Sequence, residues 1–487
     1  MKHQVLLLAA FSTVLYSTTQ AKTITALSCS EKDVQAAIHS ASNGDTVKVP
    51  PGSCTWTSTV TISNSQQITL AGTDSTTITF NGGYLDVTAG MVSNTFITGF
   101  IFNGSYTNGD SPIAIHTFMS PPSLTFRFHH NLLNGGNPSG PATFINTDGN
   151  GPGLIDHNTF SCSHGADEMV HVDGNGAVSD SGWTNAVVPG GADMTFLEDN
   201  VFIESSAVIG SAFQSYYGAR TVARHNTFTN AQIDQHGGGG IGARWWEFYN
   251  NNSTDGVGYC IRAGSGVIFA NTNVSAARMV QETGVYPADY QVGRGQNETL
   301  NPAYVWSNVN MELLLNTNSG CANGEANMIQ LNCDVYQADS GSVLPGTCAI
   351  NQSFWRTDEK TLYKCTSTNK WTTYYKPYCY PHPLVTGSNC TAFTDISNQV
   401  RIDKQIQIYP NPASNNLIII NSDAVFQIQD VLILNLTGSI VWWKNNFCSN
   451  CKDLTIDVSN LSNGIYFVQL KNPQGETVTK KMAVIHN

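Results

Sequence analysis

Charged residues are scarce in this chain of 487 residues, because Asp, Glu, Lys and Arg together make up 12% of it, against a usual quarter. The 23 basic residues are outnumbered by 35 acidic ones, which gives a formal net charge of -12. This balance argues against nucleic acid or an anionic membrane surface as a partner. It also disfavours a polyanionic ligand unless positive charge is concentrated locally.

Long apolar runs are also lacking beyond the N-terminus. Lys2 precedes an apolar stretch over residues 5–16, and small residues end at Ala21. These features predict a signal peptide over residues 1–21 and a soluble mature protein that begins near Lys22. All twelve cysteines lie downstream, which fits an oxidising compartment, although their number leaves the disulfide connectivity open.

The C-terminal region carries a second set of signals. In order, they are the sequence YPNPAS from Tyr409, the apolar run 417–420, the sequence LSNGIYF from Leu461 and the basic pair Lys480 and Lys481. This order resembles the C-terminal sorting domain of the type IX secretion system, a small β-sandwich carried by cargo of certain Gram-negative bacteria. The resemblance covers residues 405–487. It implies export across the outer membrane to the cell surface or the medium, with the secretion machinery as a partner.

The central region repeats a short polar motif. The central residues of its six copies are Asn131, Asn158, Asn200, Asn226, Asn251 and Asn271, spaced by 27, 42, 26, 25 and 20 residues. Helical periodicity is missing here, and short alternating strands lie between Gly and Asn residues, which is typical of a β-solenoid. Asn tolerates a left-handed turn and can bond the equivalent Asn of the next coil, so we expect a structural ladder.

The start of this region predicts a helical cap. Ser30 can cap a short helix in which Val34, Ala37, Ile38 and Ala41 form an apolar stripe. A helix followed by such coils resembles the capped start of right-handed parallel β-helix proteins of the pectate-lyase-like superfamily. The expected fold is therefore all-β: a right-handed parallel β-helix over residues 22–315 with an N-terminal helical cap, plus the C-terminal β-sandwich. That superfamily holds lyases, hydrolases, esterases and non-catalytic adhesins.

The pattern changes over residues 316–404. Six cysteines from Cys321 to Cys390 accompany many aromatic residues. We expect a disulfide-stapled cap over the C-terminal end of the solenoid, followed by a linker to the sorting domain. Carbohydrate binding by these aromatic residues is the alternative.

Aligning the coils on their Asn turns predicts a polar row. His171, Tyr216, His236 and Arg262 should point outward, with Met169, Gln214, Asp234 and Cys260 in the row beside them. At the spacing of parallel strands, four coils extend this row over about 15 Å, the length of a few sugar units. An ordinary exposed strand is the alternative.

Further residues flank this row. An insertion from Gly174 to Gly191 carries Trp183, and long loops beside a rigid scaffold often set specificity. Arg220 and Arg244 fall one coil apart. We expect Trp183, Arg220, Arg244, Asp173 and Asp234 to contact a substrate. Charge on a solvated edge is the alternative for the two arginines.

The row suits elimination from a uronic acid polymer. Elimination needs a positive group to neutralise the carboxylate, a base for the C5 proton and a donor for the leaving oxygen. Arg262 can neutralise the carboxylate, and His236 or His171 and Tyr216 have suitable proton-transfer chemistry. Hydrolysis would require two carboxylates, for which Asp173 and Asp234 are the candidates.

Asp167, Glu168 and Asp173 form a candidate calcium-ligand set, with a solvated acidic loop as the alternative. The sequence thus predicts a secreted or surface-exposed carbohydrate-active protein. A polysaccharide lyase that acts on a uronic-acid-containing glycan is the leading hypothesis. A glycoside hydrolase and a non-catalytic adhesin are the alternatives, with an extracellular polysaccharide as the partner in each case.

Overall fold

The computed structural model describes residues 21–63, 66–89, 94–104, 111–117, 126–135, 143–149, 152–163, 168–174, 186–205, 210–237, 242–280, 292–294, 299–315, 329–386, 406–421, 428–435, 440–444, 453–471 and 477–486. Two compact units divide the chain, Met1–Lys376 and Pro377–Asn487. Residues 1–20 of the predicted signal peptide, Trp183 and Asp167 lie outside the described residues.

The first unit begins with the predicted helix. Helix α1 covers Glu31–His39, and the side chain of Ser30 accepts a hydrogen bond from the backbone N–H of Asp33. Val34 and Ile38 are buried in the solenoid core, so the helix shields the first coils from water. A disulfide between Cys29 and Cys54 ties this cap to the strands that follow it.

Each full coil behind the cap contributes strands to three parallel faces, here called A, B and C. The strands of face A are β1 (Thr23–Thr25), β2 (Thr46–Lys48), the first parts of β5 (Thr69–Phe80) and β7 (Thr95–Asn103), β9 (Phe126–His129), β12 (Gly153–Asp156), β15 (Thr195–Glu198), β18 (Arg220–Arg224), β21 (Trp245–Tyr249), β24 (Ser265–Phe269), β26 (Ala303–Trp306) and β28 (Val335–Gln337). The parallel stack thus extends to Gln337.

Faces B and C complete the coils. The strands of face B are β3 (Gly52–Trp56), the second parts of β5 and β7, β10 (Leu132–Gly135), β13 (Thr159–Cys162), β16 (Val201–Glu204), β19 (Thr227–Thr229) and β22 (Asn252–Ser253). The strands of face C are β4 (Val60–Ile62), β6 (Leu85–Thr88), β8 (Ile113–His116), β11 (Ile145–Asp148), β14 (Val170–Asp173), β17 (Gly210–Tyr216), β20 (Ala231–Gln235), β23 (Tyr259–Ile261), β25 (Ala276–Met279) and β27 (Glu312–Leu315). Parallel stacking on three faces confirms the predicted β-helix.

The asparagine ladder is confirmed at the turn between faces A and B. The side-chain oxygen of Asn158 accepts from the backbone N–H and the amide of Asn131, at 3.0 and 3.1 Å. The same pair of bonds recurs up the stack to Asn271, and Asn308 extends the ladder by one coil that the motif search missed. The amides from Asn131 to Asn308 thereby satisfy the backbone at the turns that they occupy.

Aromatic rings stack inside the coils, two residues after three of the ladder asparagines. The rings of Phe160 and Phe202 lie 4.8 Å apart between centroids, and Phe202 and Phe228 lie 5.5 Å apart. All three side chains are buried. Equivalent positions on successive coils therefore form continuous hydrophobic columns.

A small sheet follows the last coil and belongs to the same compact unit. It consists of β29 (Asp339–Gly341), β30 (Ser353–Arg356), β31 (Thr361–Ser367) and β32 (Lys370–Tyr375), and a disulfide joins Cys348 to Cys365. Its Trp355 packs on Phe269 and Trp306, and its Tyr375 donates a hydrogen bond to the buried Glu247. The sheet therefore lies against the outer side of face A. The sequence had predicted a cap over the C-terminal end of the solenoid.

The second unit contains a short helix and two antiparallel sheets. They are helix α2 (Pro383–Thr386), one sheet of β33 (Ile406–Tyr409), β34 (Asn416–Asn421) and β37 (Asp453–Asp457), and one sheet of β35 (Asp430–Asn435), β36 (Ile440–Lys444), β38 (Gly464–Lys471) and β39 (Thr477–Val484). Their buried faces share one hydrophobic cluster. This arrangement confirms the predicted β-sandwich. Within the described part of the chain, no helix is long and apolar enough to cross a membrane.

Candidate active-site groove on face C

Two polar rows run along the outer side of face C. The first row contains, in register, Asp86, Ala114, Asn146, His171, Gln214, Asp234, Cys260 and Arg278. The second row contains Thr88, His116, Asp148, Asp173, Tyr216, His236 and Arg262, because each of these residues comes two positions later, or takes that place directly after its strand. The side chains between the rows point into the core, as alternation requires.

The predicted alignment of His171 with Tyr216 is wrong. Asp173 lies opposite Tyr216, and His171 lies opposite Gln214. Met169 precedes β14 and is buried, so it is not part of the outward row. Counting from the Asn turn failed here because the connections between the turn and face C differ in length from coil to coil.

Three rings nevertheless come together in the groove. The imidazole of His171 stacks on the phenol ring of Tyr216 with 4.5 Å between centroids and 15° between planes. Tyr216 stacks in turn on His236 at 4.4 Å and 28°. The ring of His171 therefore reaches the second row from a backbone position in the first. The structure thus brings together three of the four residues predicted to be catalytic.

His171 is held between two carboxylates. Its Nδ1 donates a 2.6 Å hydrogen bond to Oε1 of Glu168, and its Nε2 lies 3.7 Å from Oδ2 of Asp173. Burial lowers the pKa of His171, but the contacts with Asp173 and Glu168 outweigh burial and raise it to about 9. The ring is therefore an imidazolium at neutral pH, and its stacking on Tyr216 is a cation–π contact.

His236 differs from His171 in its hydrogen bonding. Its Nδ1 donates to the carbonyl oxygen of Gly237 over 2.7 Å. Because a carbonyl oxygen only accepts, the neutral ring carries its hydrogen on Nδ1 and keeps a lone pair on Nε2. The phenol of Tyr216 donates to Oε1 of Gln214 over 2.5 Å. His236 therefore has the tautomer of a proton acceptor, and Gln214 orients the hydroxyl of Tyr216.

Arg262 closes this part of the groove. Its Nε and Nη2 make three hydrogen bonds of 3.0 to 3.1 Å with the carboxylate of Asp234, and each of the two side chains is 11% exposed. Asp234 therefore compensates much of the charge that was expected to neutralise a substrate carboxylate. The two residues act as a pair.

A second cluster on face C, made of one histidine and two carboxylates, was not predicted. His116 contacts Oδ2 of Asp148 through Nδ1 at 2.7 Å and Oδ1 of Asp86 through Nε2 at 3.4 Å. The hydrogen bond with Asp148 raises the pKa of His116, against the effect of burial. The alternating sequences of β8 and β11 contain the signal, because their polar residues occupy the outward positions.

Several acceptor atoms near His171 are buried. Oδ1 of Asn146, Oε2 of Glu168 and Oδ1 of Asp173 have no hydrogen-bond partner among the described residues. Buried acceptors without a donor are costly in free energy. The loop before β14 therefore carries more acceptors than the described donors satisfy.

The calcium hypothesis gains no support from the described residues. None of their groups of three or more His, Cys, Asp or Glu side chains has a geometry that could hold a metal ion. Between Glu168 and Asp173 stands the His171 imidazolium, which already supplies a positive charge to both carboxylates. Asp167, the third proposed ligand, lies outside the described residues.

Arg220 and Arg244 are buried next to face A, each with 8% of its surface exposed. Nη1 of Arg220 donates to the backbone oxygen of Ala186, in the part of the insertion that the structure describes. Burial lowers the pKa of both guanidinium groups, to about 10 for Arg244, where the charge of Arg220 adds to the effect. Neither arginine lies on an exposed edge, and their register is offset, because Arg220 pairs with Trp245.

Comparisons with known proteins give one firm assignment. Residues 407–485 match the family model of the secretion system C-terminal sorting domain. The predicted sorting domain is thereby confirmed, and the protein is exported by the type IX system to the cell surface or the medium. A search of curated proteins finds no match to the chain.

Among solved structures, the chain resembles the PL6 family alginate lyase AlyGC and a mutant of that enzyme. The TM-scores are 0.30 and 0.33 at 11% and 12% sequence identity. Both alignments cover 81% of this chain and 60% of the other chain, so this protein matches less than two thirds of their length. A likeness of this size assigns no activity to the chain.

Proposed function

We propose that this protein is a secreted polysaccharide-degrading enzyme that cleaves a uronic-acid-containing glycan by elimination in the groove of face C. The observation that supports this proposal most directly is the stack of His171, Tyr216 and His236. The imidazole of His171, the phenol of Tyr216 and the imidazole of His236 are stacked in that order on one sheet, with 4.5 and 4.4 Å between neighbouring ring centroids. Elimination requires a proton acceptor and a proton donor close together, and these rings supply both kinds of group.

Each residue has a distinct role in this proposal. Nε2 of His236 takes the C5 proton, since its Nδ1 is committed to a carbonyl oxygen. As the C5–H bond breaks, a double bond forms between C4 and C5, and the bond from C4 to the glycosidic oxygen breaks. The leaving glycosidic oxygen takes the proton of the Tyr216 hydroxyl, which lies between the two rings. The imidazolium of His171, held by its two carboxylates, stacks on Tyr216 and stabilises the phenolate that forms.

Carbohydrate as the ligand class rests on the chemistry of the groove. Asn146, Asp173 and Gln214 lie on the outward rows of face C, and amide and carboxylate groups of this kind exchange hydrogen bonds with sugar hydroxyls. Arg262 contributes to neutralising the uronate, together with the charge of His171. Trp183 stays a proposed contact in the insertion, and Arg220 holds the described end of that insertion through its hydrogen bond to the backbone oxygen of Ala186.

The proposal is tested by incubating the mature protein with a panel of neutral and uronate polysaccharides. Elimination predicts new reducing ends together with the ultraviolet absorbance of an unsaturated uronate. Equal growth of reducing ends without that absorbance would indicate a glycoside hydrolase. Binding without either product would indicate an adhesin.

The variant Asp234→Asn separates the two enzyme classes. In a lyase, it releases Arg262 from its carboxylate partner, so activity on a uronate polymer should persist within about tenfold of wild type. In a hydrolase that uses Asp173 and Asp234 as its carboxylate pair, it should abolish turnover. Arg262→Ala is the complementary variant, and in a lyase it should reduce turnover far more than Asp234→Asn does.

A further inference from the structure

A cavity of about 320 Å³ opens beside face C, away from the ring stack. Its lining includes Arg278, Asp255, Asn230, Gln232, Ser275 and the turn at residues 256–258. This volume is near the lower end of ligand pockets, at about 300 Å³. It suits one sugar ring.

Arg278 is the cation of this cavity. It lies on β25 in register with Cys260, so it belongs to the same row as His171 and Asp234. In the part of the chain that the structure describes, Arg278 forms no hydrogen bond or ion pair. Arg262 and His171, by contrast, are each held by carboxylates. A guanidinium without a carboxylate partner retains its donors for an anion, and its planar fork matches a carboxylate.

Asp255 gives the cavity an acceptor of fixed position. Its Oδ1 accepts from the hydroxyl of Ser253 at 3.1 Å and from the backbone N–H of Val257 at 3.4 Å. Its Oδ2 accepts from the backbone N–H of Asn230. A carboxylate has room for further donors beyond these, and it accepts only. The cavity therefore combines an acceptor group with the donor group of Arg278.

Glycine at position 258 leaves the space that the guanidinium uses. A Cβ atom at Gly258 would lie 2.8 Å from Nη1 of Arg278 and 2.5 Å from the backbone oxygen of Ala276. A side chain there would press on the backbone of Ala276 and move the guanidinium group of Arg278 out of its present position. The backbone is thus shaped around the guanidinium.

We propose that this cavity is a subsite for one uronic acid residue of the polymer. The sugar carboxylate binds Arg278, and the sugar hydroxyls donate to Asp255 and exchange hydrogen bonds with the amide of Gln232. A neutral sugar leaves Arg278 without an acceptor, so the subsite discriminates in favour of acidic residues. This inference deepens the proposed function and rests on it for the identity of the polymer.

The experiment is a titration calorimetry series on the full mature protein. The probes are tetrasaccharides of galacturonate, mannuronate and glucuronate, together with their carboxyl-reduced, neutral counterparts. Wild type should bind at least one acidic tetrasaccharide more tightly than its neutral form. Arg278→Gln should lower the affinity for that acidic probe about tenfold or more and leave the affinity for the neutral probe unchanged. The affinity of Arg278→Lys for the acidic probe should lie between those of wild type and Arg278→Gln.

Arg356→Gln is the matched control, because Arg356 pairs with Asp358 on the small sheet at the side of face A. It should bind both probes as wild type does, and thermal unfolding should show that all variants fold. Equal affinity of wild type for acidic and neutral probes, or an Arg278→Gln variant that binds as wild type does, would overturn the subsite.

Binding requires no turnover, so failure of the subsite and failure of the proposed function are distinguishable. If Arg278→Gln loses affinity for the acidic probe alone and no polymer is cleaved, the subsite is supported and the proposed enzymatic function is refuted. If a polymer is cleaved and Arg278→Gln binds the acidic probe as wild type does, the enzymatic function is supported and the subsite is refuted.

Discussion

His171 donates a 2.6 Å hydrogen bond to Glu168, three residues earlier in the chain, and the buried Glu168 is 3% exposed. A buried carboxylate requires a compensating charge, and the imidazolium supplies it. The same bond orients the His171 ring against Tyr216. The electrostatics of the loop before β14 and the geometry of the ring stack are therefore linked.

Stability should depend on pH through His171. Its pKa is raised from about 6.5 in the unfolded chain to about 9 in the folded protein. A raised folded pKa stabilises the protein fully below the unfolded value, and the contribution is lost as pH rises through about 9. We expect it to be on the order of 2 kcal/mol. Denaturant unfolding between about pH 6 and pH 10 should show a decline in wild type that His171→Gln lacks.

The control for this measurement is His39→Gln on helix α1, where the side chain is exposed. It should keep the wild-type pH profile. Parallel profiles for wild type and His171→Gln would mean that the two carboxylates do not hold a proton on His171.

Activity should depend on His236 and on the hydroxyl of Tyr216. His236→Ala removes the proposed base, and Tyr216→Phe keeps the stack but removes the hydroxyl that Gln214 orients. Each should reduce turnover about a hundredfold or more, as is usual for lost acid–base catalysis. The measurement is the initial rate on the polymer that the panel identifies.

Tyr217→Phe is the matched control for Tyr216→Phe. Its ring lies 6.4 Å from that of Tyr216, outside the stack with the two histidines. It should keep the wild-type rate. If Tyr216→Phe and His236→Ala also keep that rate, the ring stack is not the catalytic site.

Asn226→Ala should destabilise the solenoid by about 2 kcal/mol. The side chain accepts from the backbone N–H and the amide of Asn200, and it donates to Asn251 and to the backbone oxygen of Leu197. Its removal leaves buried groups on two neighbouring coils without partners. Asn81→Ala, at an exposed position, should change the free energy of unfolding much less. Equal urea midpoints for wild type and Asn226→Ala would contradict a contribution of the asparagine ladder to stability.

Deletion from residue 405 onward should block the last export step. The sorting domain occupies residues 407–485 and has its own hydrophobic cluster, so the solenoid should fold without it. Cell fractionation should find the shortened protein in the periplasm and the full chain at the surface or in the medium. Normal surface levels of the shortened protein would show that export does not depend on this domain.

Features repeated along the sequence could be predicted from it. The ladder residues from Asn131 to Asn271 recur at one place in successive coils, so the fold of this part follows from local turn chemistry repeated many times. The helix after Ser30 is likewise a local feature, set by a cap and an apolar stripe. The sorting domain could be recognised because its motifs keep their order.

The groove depended on tertiary structure. Strand register on face C follows the length of each connection from the Asn turn, and this length varies, so the alignment of His171 was missed and Asp173 took its place. The pairing of Arg262 with Asp234 joins residues 28 positions apart. The alternation in β8 and β11 turns His116 and Asp148 outward, but only the pairing of neighbouring coils places the two side chains beside each other.

The sequence by itself therefore determined the solenoid, its cap and its export, since each depends on contacts that are local or repeat from coil to coil. Only the tertiary structure decided which side chains meet on face C, which charges are already compensated there, and where the small sheet packs. Those outcomes depend on connection lengths and on burial, and both are properties of the assembled stack.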